Sequence, residues 1–333
     1  MLKKSFIILS FILSILYRSQ TLDELDGMTE VYTEQTKYQE AIDLNIESLG
    51  KYKDEKNKKG IAVAYLNLAD LLRNLNQPKQ GLENLDEAKK YINSIKDNVL
   101  KGRLYFQYAK SYSHLDIEGE ANINYNKAIQ YFGKAGNSEK VKKYLYQAYI
   151  GKWADFEYTK AIDSAVVTQN KCLKLFPNDP MVYTLIAYRY VGMNSHFDTI
   201  KSNLDKAISL SPKGTQKGTT LLTLGDYYTL IDDFPKALDC YFQALEVFQK
   251  IGRKISIRDC YKNIRRTYLL LKDKEKADEY SRKFKEVNDE VVKIQKESSM
   301  YAVKKIVQEK EQEEQKKEIN YTLLLDSSLC HLY

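Results

Sequence analysis

One pattern recurs along the chain and limits what it can fold into. It reads large–x–x–large–small–x–x–aromatic, a turn, then Ala–x–x–x–large–x–x–Ala. The pattern is clearest at Tyr65, Leu68, Ala69, Leu72, Gly81, Leu85 and Ala88, and again at Tyr105, Tyr108, Ala109, Tyr112, Ala121, Tyr125 and Ala128. A third clear copy holds Leu221, Leu224, Gly225, Tyr228, Ala237, Tyr241 and Ala244. Weaker copies fill the gaps. They run from Leu25, Met28, Tyr32 and Ala41; from Tyr149, Trp153, Phe156, Ala165 and Cys172; from Thr184, Ala187, Val191, Leu204 and Ala207; and from Tyr261, Ile264, Tyr268 and Ala277. Successive copies are offset by 40, 40, 44, 35, 37 and 40 residues. A fixed period of this size is the signature of a stacked array.

Each half of the pattern is an amphipathic helix with apolar residues at i, i+3, i+4 and i+7. Small residues in the first helix (Ala69, Ala109, Gly225) and in the second (Ala237, Ala244) let two axes approach, and aromatics pack over the low spots. One such hairpin cannot bury its apolar face alone, so neighbours must stack. The five prolines test this phasing independently. Pro78 and Pro235 fall where second helices start, Pro180 opens a first helix, and Pro177 and Pro212 follow helix ends. None is placed inside a helix, as proline demands. Only 14 glycines accompany them, which argues against a β-rich or linker-rich chain. The 27 tyrosines suit half-buried positions between packed helices.

These residues resemble the tetratricopeptide repeat (TPR) family over residues 21–284, as seven copies. The resemblance implies an all-α, right-handed solenoid of helix-turn-helix repeats. It also implies that the first helix of each repeat lines a concave face along which partner peptides lie. Two departures stand out. Most periods exceed the family's usual value of about 34 residues. Repeats four, five and seven carry Trp153, Tyr188 and Arg265 where the small residue of the first helix belongs, so wider or bent packing is expected there. Projecting first-helix positions onto the concave face nominates Arg73, Arg103, Phe106, Lys110, Arg189, Lys262 and Arg266 as partner-binding residues. Asp70, Glu157 and Asp226 face the same space. Arg, Lys and Phe together suit a peptide with carboxylates and an apolar anchor. The paired Lys and Asn residues of the carboxylate-clamp subgroup are not complete: Asp70 stands where its first Asn would be, and the repeats after Asn67 do not supply the rest.

The two ends read differently. Residues 1–20, MLKKSFIILSFILSILYRSQ, have a basic start, a short apolar centre and a polar exit, the pattern of a secretory signal, although the exit lacks small residues for cleavage. Export to the periplasm or envelope is the expectation. If the signal is unused, a cytoplasmic adaptor follows, with these residues as a buried first helix. Residues 285–320 contain no Gly or Pro and read as one charged helix. Its stripe of Phe284, Val287, Val291, Ile294 and Tyr301 gives weak heptads for self-association. The stronger expectation is that the first part caps the solenoid and Glu309 to Glu318 is solvated. Residues 321–333 read as an irregular tail. An exported repeat array followed by a charged helix resembles the front of bacterial envelope regulators, where a membrane helix and a DNA-binding or histidine-kinase domain come next. On that reading the chain is a truncated sensor.

No catalytic set is visible. His114, His196 and His331 are scattered, and Cys172, Cys240, Cys260 and Cys330 show no C-x-x-C spacing, so neither metal nor nucleophilic chemistry is expected. Buried free thiols are expected, with a Cys240–Cys260 pair as the alternative in an exported chain. No glycine-rich phosphate loop occurs, and no cofactor is implied. The net charge of +7 is spread over faces that also carry acids, unlike the stripe of a nucleic-acid binder. The sequence therefore reads as a non-catalytic protein- or peptide-binding module expected in the envelope, with a structural scaffold of an envelope complex as the alternative.

Overall fold

A computed structural model of the protein describes residues 21–330, with side chains described through Thr322. The signal expected at residues 1–20 lies outside the described residues. Fourteen helices follow one another, without a strand among the described residues. They form seven hairpins: α1 (Leu22–Glu34) with α2 (Tyr38–Asp54), α3 (Lys58–Asn74) with α4 (Pro78–Ile92), and α5 (Asn98–His114) with α6 (Glu118–Gly133). Next come α7 (Glu139–Tyr158) with α8 (Ile162–Leu175), α9 (Pro180–Met193) with α10 (Phe197–Ser209), α11 (Gly214–Leu230) with α12 (Phe234–Ile251), and α13 (Lys254–Leu270) with α14 (Lys274–Cys330). All five prolines stand at helix ends or beyond them.

Local chemistry separates the two helices of a hairpin. Five of the seven first helices begin at a residue whose side chain caps them: Thr21, Asn57, Asp97, Ser138 and Asp179. Each oxygen accepts a backbone N–H that the first turn leaves without a helical partner. Most second helices have no such cap and start from a tight left-handed turn instead. Thr36, Asn76, Asp116, Lys160, Asp232 and Lys272 each sit at positive φ there. The N–H after the left-handed residue reaches back across the helix end, as from Gln77 to the Leu72 carbonyl at 2.8 Å. This bond satisfies a last-turn carbonyl and reverses the chain.

Inside the hairpin, large rings seat on small residues. A Cβ on Gly225 would overlap the Tyr241 ring, and one on Gly102 would overlap Phe132. The alternation that set the repeat is thus a set of close approaches. Repeat five departs from the expected register. Tyr188 is 60% exposed, and Ala187 beside it is fully buried against Ile200 and Leu204. The first helix therefore keeps a small residue in its core after all, one position earlier. Trp153 of repeat four is buried, packed with Ala165 and Cys172. Cys172, Cys240 and Cys260 are buried free thiols. Cys240 and Cys260 pack in different parts of the core, the first with Leu204 and Leu224, the second with Tyr241 and Ile264.

The largest correction concerns the end of the chain. The last repeat does not stop near residue 284: its second helix is the start of α14, which runs 57 residues. Nothing in that stretch can break a helix, since it contains no Gly or Pro. The helix crosses back to repeats one and two. Ala302 is buried with Tyr38, Ala41, Ile42, Leu71, Leu72 and Leu75, flanked by Ile294, Tyr301 and Ile306. Much of the stripe read as heptads for self-association is therefore spent within one chain. Glu309 to Glu318 is exposed as expected except at Glu309 and Glu313, which are partly covered where Lys53 donates to them at 2.6 and 2.5 Å. Tyr301 donates to both carboxylate oxygens of Asp43 at 2.7 Å. The tail expected to be irregular from residue 321 is helical to Cys330. No helix among the described residues is long and apolar enough to cross a membrane.

Candidate partner-binding groove

First helices of neighbouring repeats are tied by polar side chains one repeat apart. Asn67 accepts from Arg103 at 3.1 Å, and Asp70 from Lys110 at 2.5 Å. Ser113 donates to Asp155, Arg189 donates through Nε to Glu157 at 2.5 Å, and Thr184 meets Thr220 at 2.9 Å. Asn263 donates to Asp226 at 3.3 Å. Polar groups at an inter-helix seam must be paired because burial removes their water. These ties account for much of the charge that the sequence places on the concave face.

Between α1, α3, α5 and α7 lies a groove of about 820 Å³, bounded at one end by Arg253. Its floor is rich in donors. Asp70 serves two cations, with Arg73 at 2.8 Å and Lys110 at 2.5 Å. Burial opposes the Asp70 charge, but Lys110 and Arg73 outweigh it and hold the carboxyl far below its usual range. Burial and then the Arg73 guanidinium bring the Lys110 ammonium down to about 8, against the pull of Asp70. One donor on this floor, Asn67 Nδ2, is buried without a protein acceptor; so is Nε of Arg73, which is outside the lining and reaches it only through Asp70. Phe106 adds an apolar surface beneath the Lys110 ammonium, 5.2 Å from its ring centre.

The walls carry opposite charge. On α1, Asp23, Asp26, Glu30 and Glu34 follow one helical stripe into the groove; on α7, Lys140 and Lys143 face them. Arg103 holds Asp26 through two bonds of 2.8 and 2.9 Å, and this pair is mostly buried. Lys140 reaches Asp23, Lys143 reaches Glu30 at 3.1 Å, and Arg253 approaches Glu34 at 4.0 Å. Thr215 also meets Glu34, at 3.4 Å, so the first repeat touches the sixth and seventh.

Of the seven nominated residues, Arg103, Phe106 and Lys110 line this groove, and Arg73 joins its floor through Asp70. Arg189 is elsewhere, buried over Trp153 and bound to Glu157. Lys262 and Arg266 are exposed on α13, where they lie close enough to Asp226 to favour its charge, and they are not among the groove-lining residues. The sequence reading missed the α1 acids and the α7 lysines. Their signal was present: 23, 26, 30 and 34 have the 3-4-4 spacing of one helix face. Lys140 and Lys143 lie in the first turns of α7, ahead of the repeat pattern, so alignment of the repeats did not reach them.

Solved structures share this architecture. The Rap protein in complex with competence and sporulation factor aligns with a TM-score of 0.53 at 15% identity, over 86% of this chain and 80% of its own. Yeast Tom70 gives a TM-score of 0.53 at 16% identity, over 87% of this chain and 60% of its own. No protein-family model matches the sequence, and no curated protein does. The likeness identifies the fold: this chain is an all-α, TPR-like solenoid.

Proposed function

We propose that the chain is a non-catalytic binding module that holds an extended, carboxylate-bearing peptide in the groove between α1, α3, α5 and α7. The observation that carries this reading is the floor, where Lys110 and Arg103 stand beside Asn67, whose buried Nδ2 lacks an acceptor. A buried donor without an acceptor is costly, and a ligand oxygen relieves that cost. Phe106 supplies the apolar contact beside it. The Rap protein with the same fold is seen in complex with competence and sporulation factor, a use of this architecture in which a partner is held. With the basic-apolar start at residues 1–20, the proposed place of action is the envelope, as the sensor part of a larger regulator.

The test is peptide display against the full chain. Enriched sequences should combine Asp or Glu with an apolar residue, and Asn67→Ala with Lys110→Gln should abolish their binding. Enrichment of basic peptides, or of acidic peptides indifferent to both substitutions, would overturn the reading. Intact mass of the chain recovered from an envelope fraction tests export: loss of roughly the first 20 residues supports it, and an intact Met1 in the cytosol overturns it.

A further inference from the structure

Ion pairs from its own first helix span the groove. Lys140–Asp23, Lys143–Glu30 and Arg253–Glu34 all run from α1 to the opposite side, joining residues far apart in the chain. Unlike Arg103–Asp26, these three pairs are open to water at both ends, and such pairs are individually weak. Lys140 also stands 3.7 Å from Asp26, so the Asp26 cluster pins α1 while the three outer pairs are free to exchange. The helix is also lightly anchored among the described residues: only Leu25 and Thr29 are buried along it. Elements with few buried contacts open most readily.

We propose that the α1 acids act as a built-in competitor, neutralising Lys140, Lys143 and Arg253 until a carboxylate-bearing peptide takes those cations from them. The inference rests on the groove reading above and adds a second subsite to it. Lys140, Lys143 and Arg253 form a cationic rim, distinct from the Asn67 and Lys110 floor. A ligand that engages both displaces the α1 carboxylates into water, where their charge is well solvated.

The test uses fluorescence anisotropy with a fluorescein-labelled glutamate dodecapeptide and the full chain at low salt. Neutralising the competitor, Asp23→Asn with Glu30→Gln and Glu34→Gln, should tighten binding about tenfold. Asp26 is left intact so that α1 stays pinned by Arg103. Neutralising the rim, Lys140→Gln with Lys143→Gln, should weaken binding at least about fivefold. A charge-matched control, Glu87→Gln with Glu118→Gln and Glu246→Gln, removes three acids outside the groove and should stay within about twofold. Equal behaviour of the α1 variant and this control overturns the competitor and leaves the groove reading standing. Binding to the wild type that ignores both the rim substitutions and Lys110→Gln overturns the groove reading itself. Absence of binding to wild type and α1 variant alike overturns both.

Discussion

Repeats two and six are nearly the same hairpin in different surroundings. Each turns through a left-handed residue, Asn76 in one and Asp232 in the other. Each closes with the same reach-back bond, Gln77 to the Leu72 carbonyl at 2.8 Å and Asp233 to the Tyr228 carbonyl at 2.9 Å. The residue before the left-handed one is apolar in both. Yet Leu75 is 3% exposed and Ile231 is 41% exposed. The difference is α14, which crosses the edge of repeat two at Ala302 and leaves Ile231 of repeat six uncovered. The hairpin's own pattern fixes its shape; a segment from the far end of the chain decides which outer edge is core.

The largest expected effect breaks what the two repeats share. Gly225→Leu drives a side chain into Tyr241, whose hydroxyl is fixed by Asp226 at 2.7 Å and Thr229 at 3.1 Å, so the ring has no room to retreat. The cost should be about 3 kcal/mol or more, as for severe overpacking. Hydrogen exchange should lose protection first in α11 and α12, because a stacked array fails locally. Gly119→Leu is the control, with open space around its Cβ and a small gain expected from helix propensity. Equal stability of the two variants would refute the close-approach account.

How much of this was legible follows from the range of each signal. Helix spacing, proline placement and the small-over-aromatic pattern act within one hairpin, and a single repeat displays them, so seven hairpins could be read. The register of repeat five could not, because Ala187 and Tyr188 are adjacent and either fits the pattern. The path of α14 was illegible for another reason. Its charges balance along the helix, and distant residues such as Lys53, Asp43 and Asp54 decide which of them are paired. The groove was half legible. Arg103, Phe106 and Lys110 fall on it, but ties one repeat long, such as Glu157–Arg189, consume charges that looked free for a ligand.

The comparison sharpens on removing the cover. Ala302→Glu places a charge where the side chain is fully buried, and α14 should leave repeats one and two while the hairpins persist. Amide exchange around residues 290–320 should rise about a hundredfold, roughly 2.7 kcal/mol of lost docking. Helix content by circular dichroism should fall little. Loss of the whole fold instead would show that the seven hairpins depend on this helix. A smaller pair of changes reads the edge itself. Leu75→Ser should cost about 2 kcal/mol, near the low end for truncating a buried leucine. Ile231→Ser should stay within about 0.5 kcal/mol, as exposed substitutions do. Matching losses would mean that something also covers Ile231.

The smallest effect is the pH dependence of the same cover. Burial works against the Glu313 charge, but Lys53 and Lys317 outweigh it and hold the carboxyl below its ordinary 4.5. A depressed carboxyl contributes stability above its ordinary value and loses it as the pH falls through the folded one. Burial likewise disfavours the Lys53 ammonium, while Glu309 and Glu313 overcome that and raise it well above 10.5. That contribution is complete below pH 10.5 and disappears only in strong alkali. The contact is therefore held across neutral pH and weakens on the acid side, from about pH 4.5 downward. The Lys53 pairs should account for about 1 kcal/mol of it, since they are more buried than an ordinary surface pair. Protease cleavage within residues 300–322, followed from pH 7 to 3.5 with an acid-tolerant enzyme, reads this opening. Lys53→Met should raise cleavage at neutral pH and flatten its acid dependence. An unchanged acid limb in that variant would overturn this assignment, and the Lys53 cluster would then be a passenger of the apolar contact at Ala302.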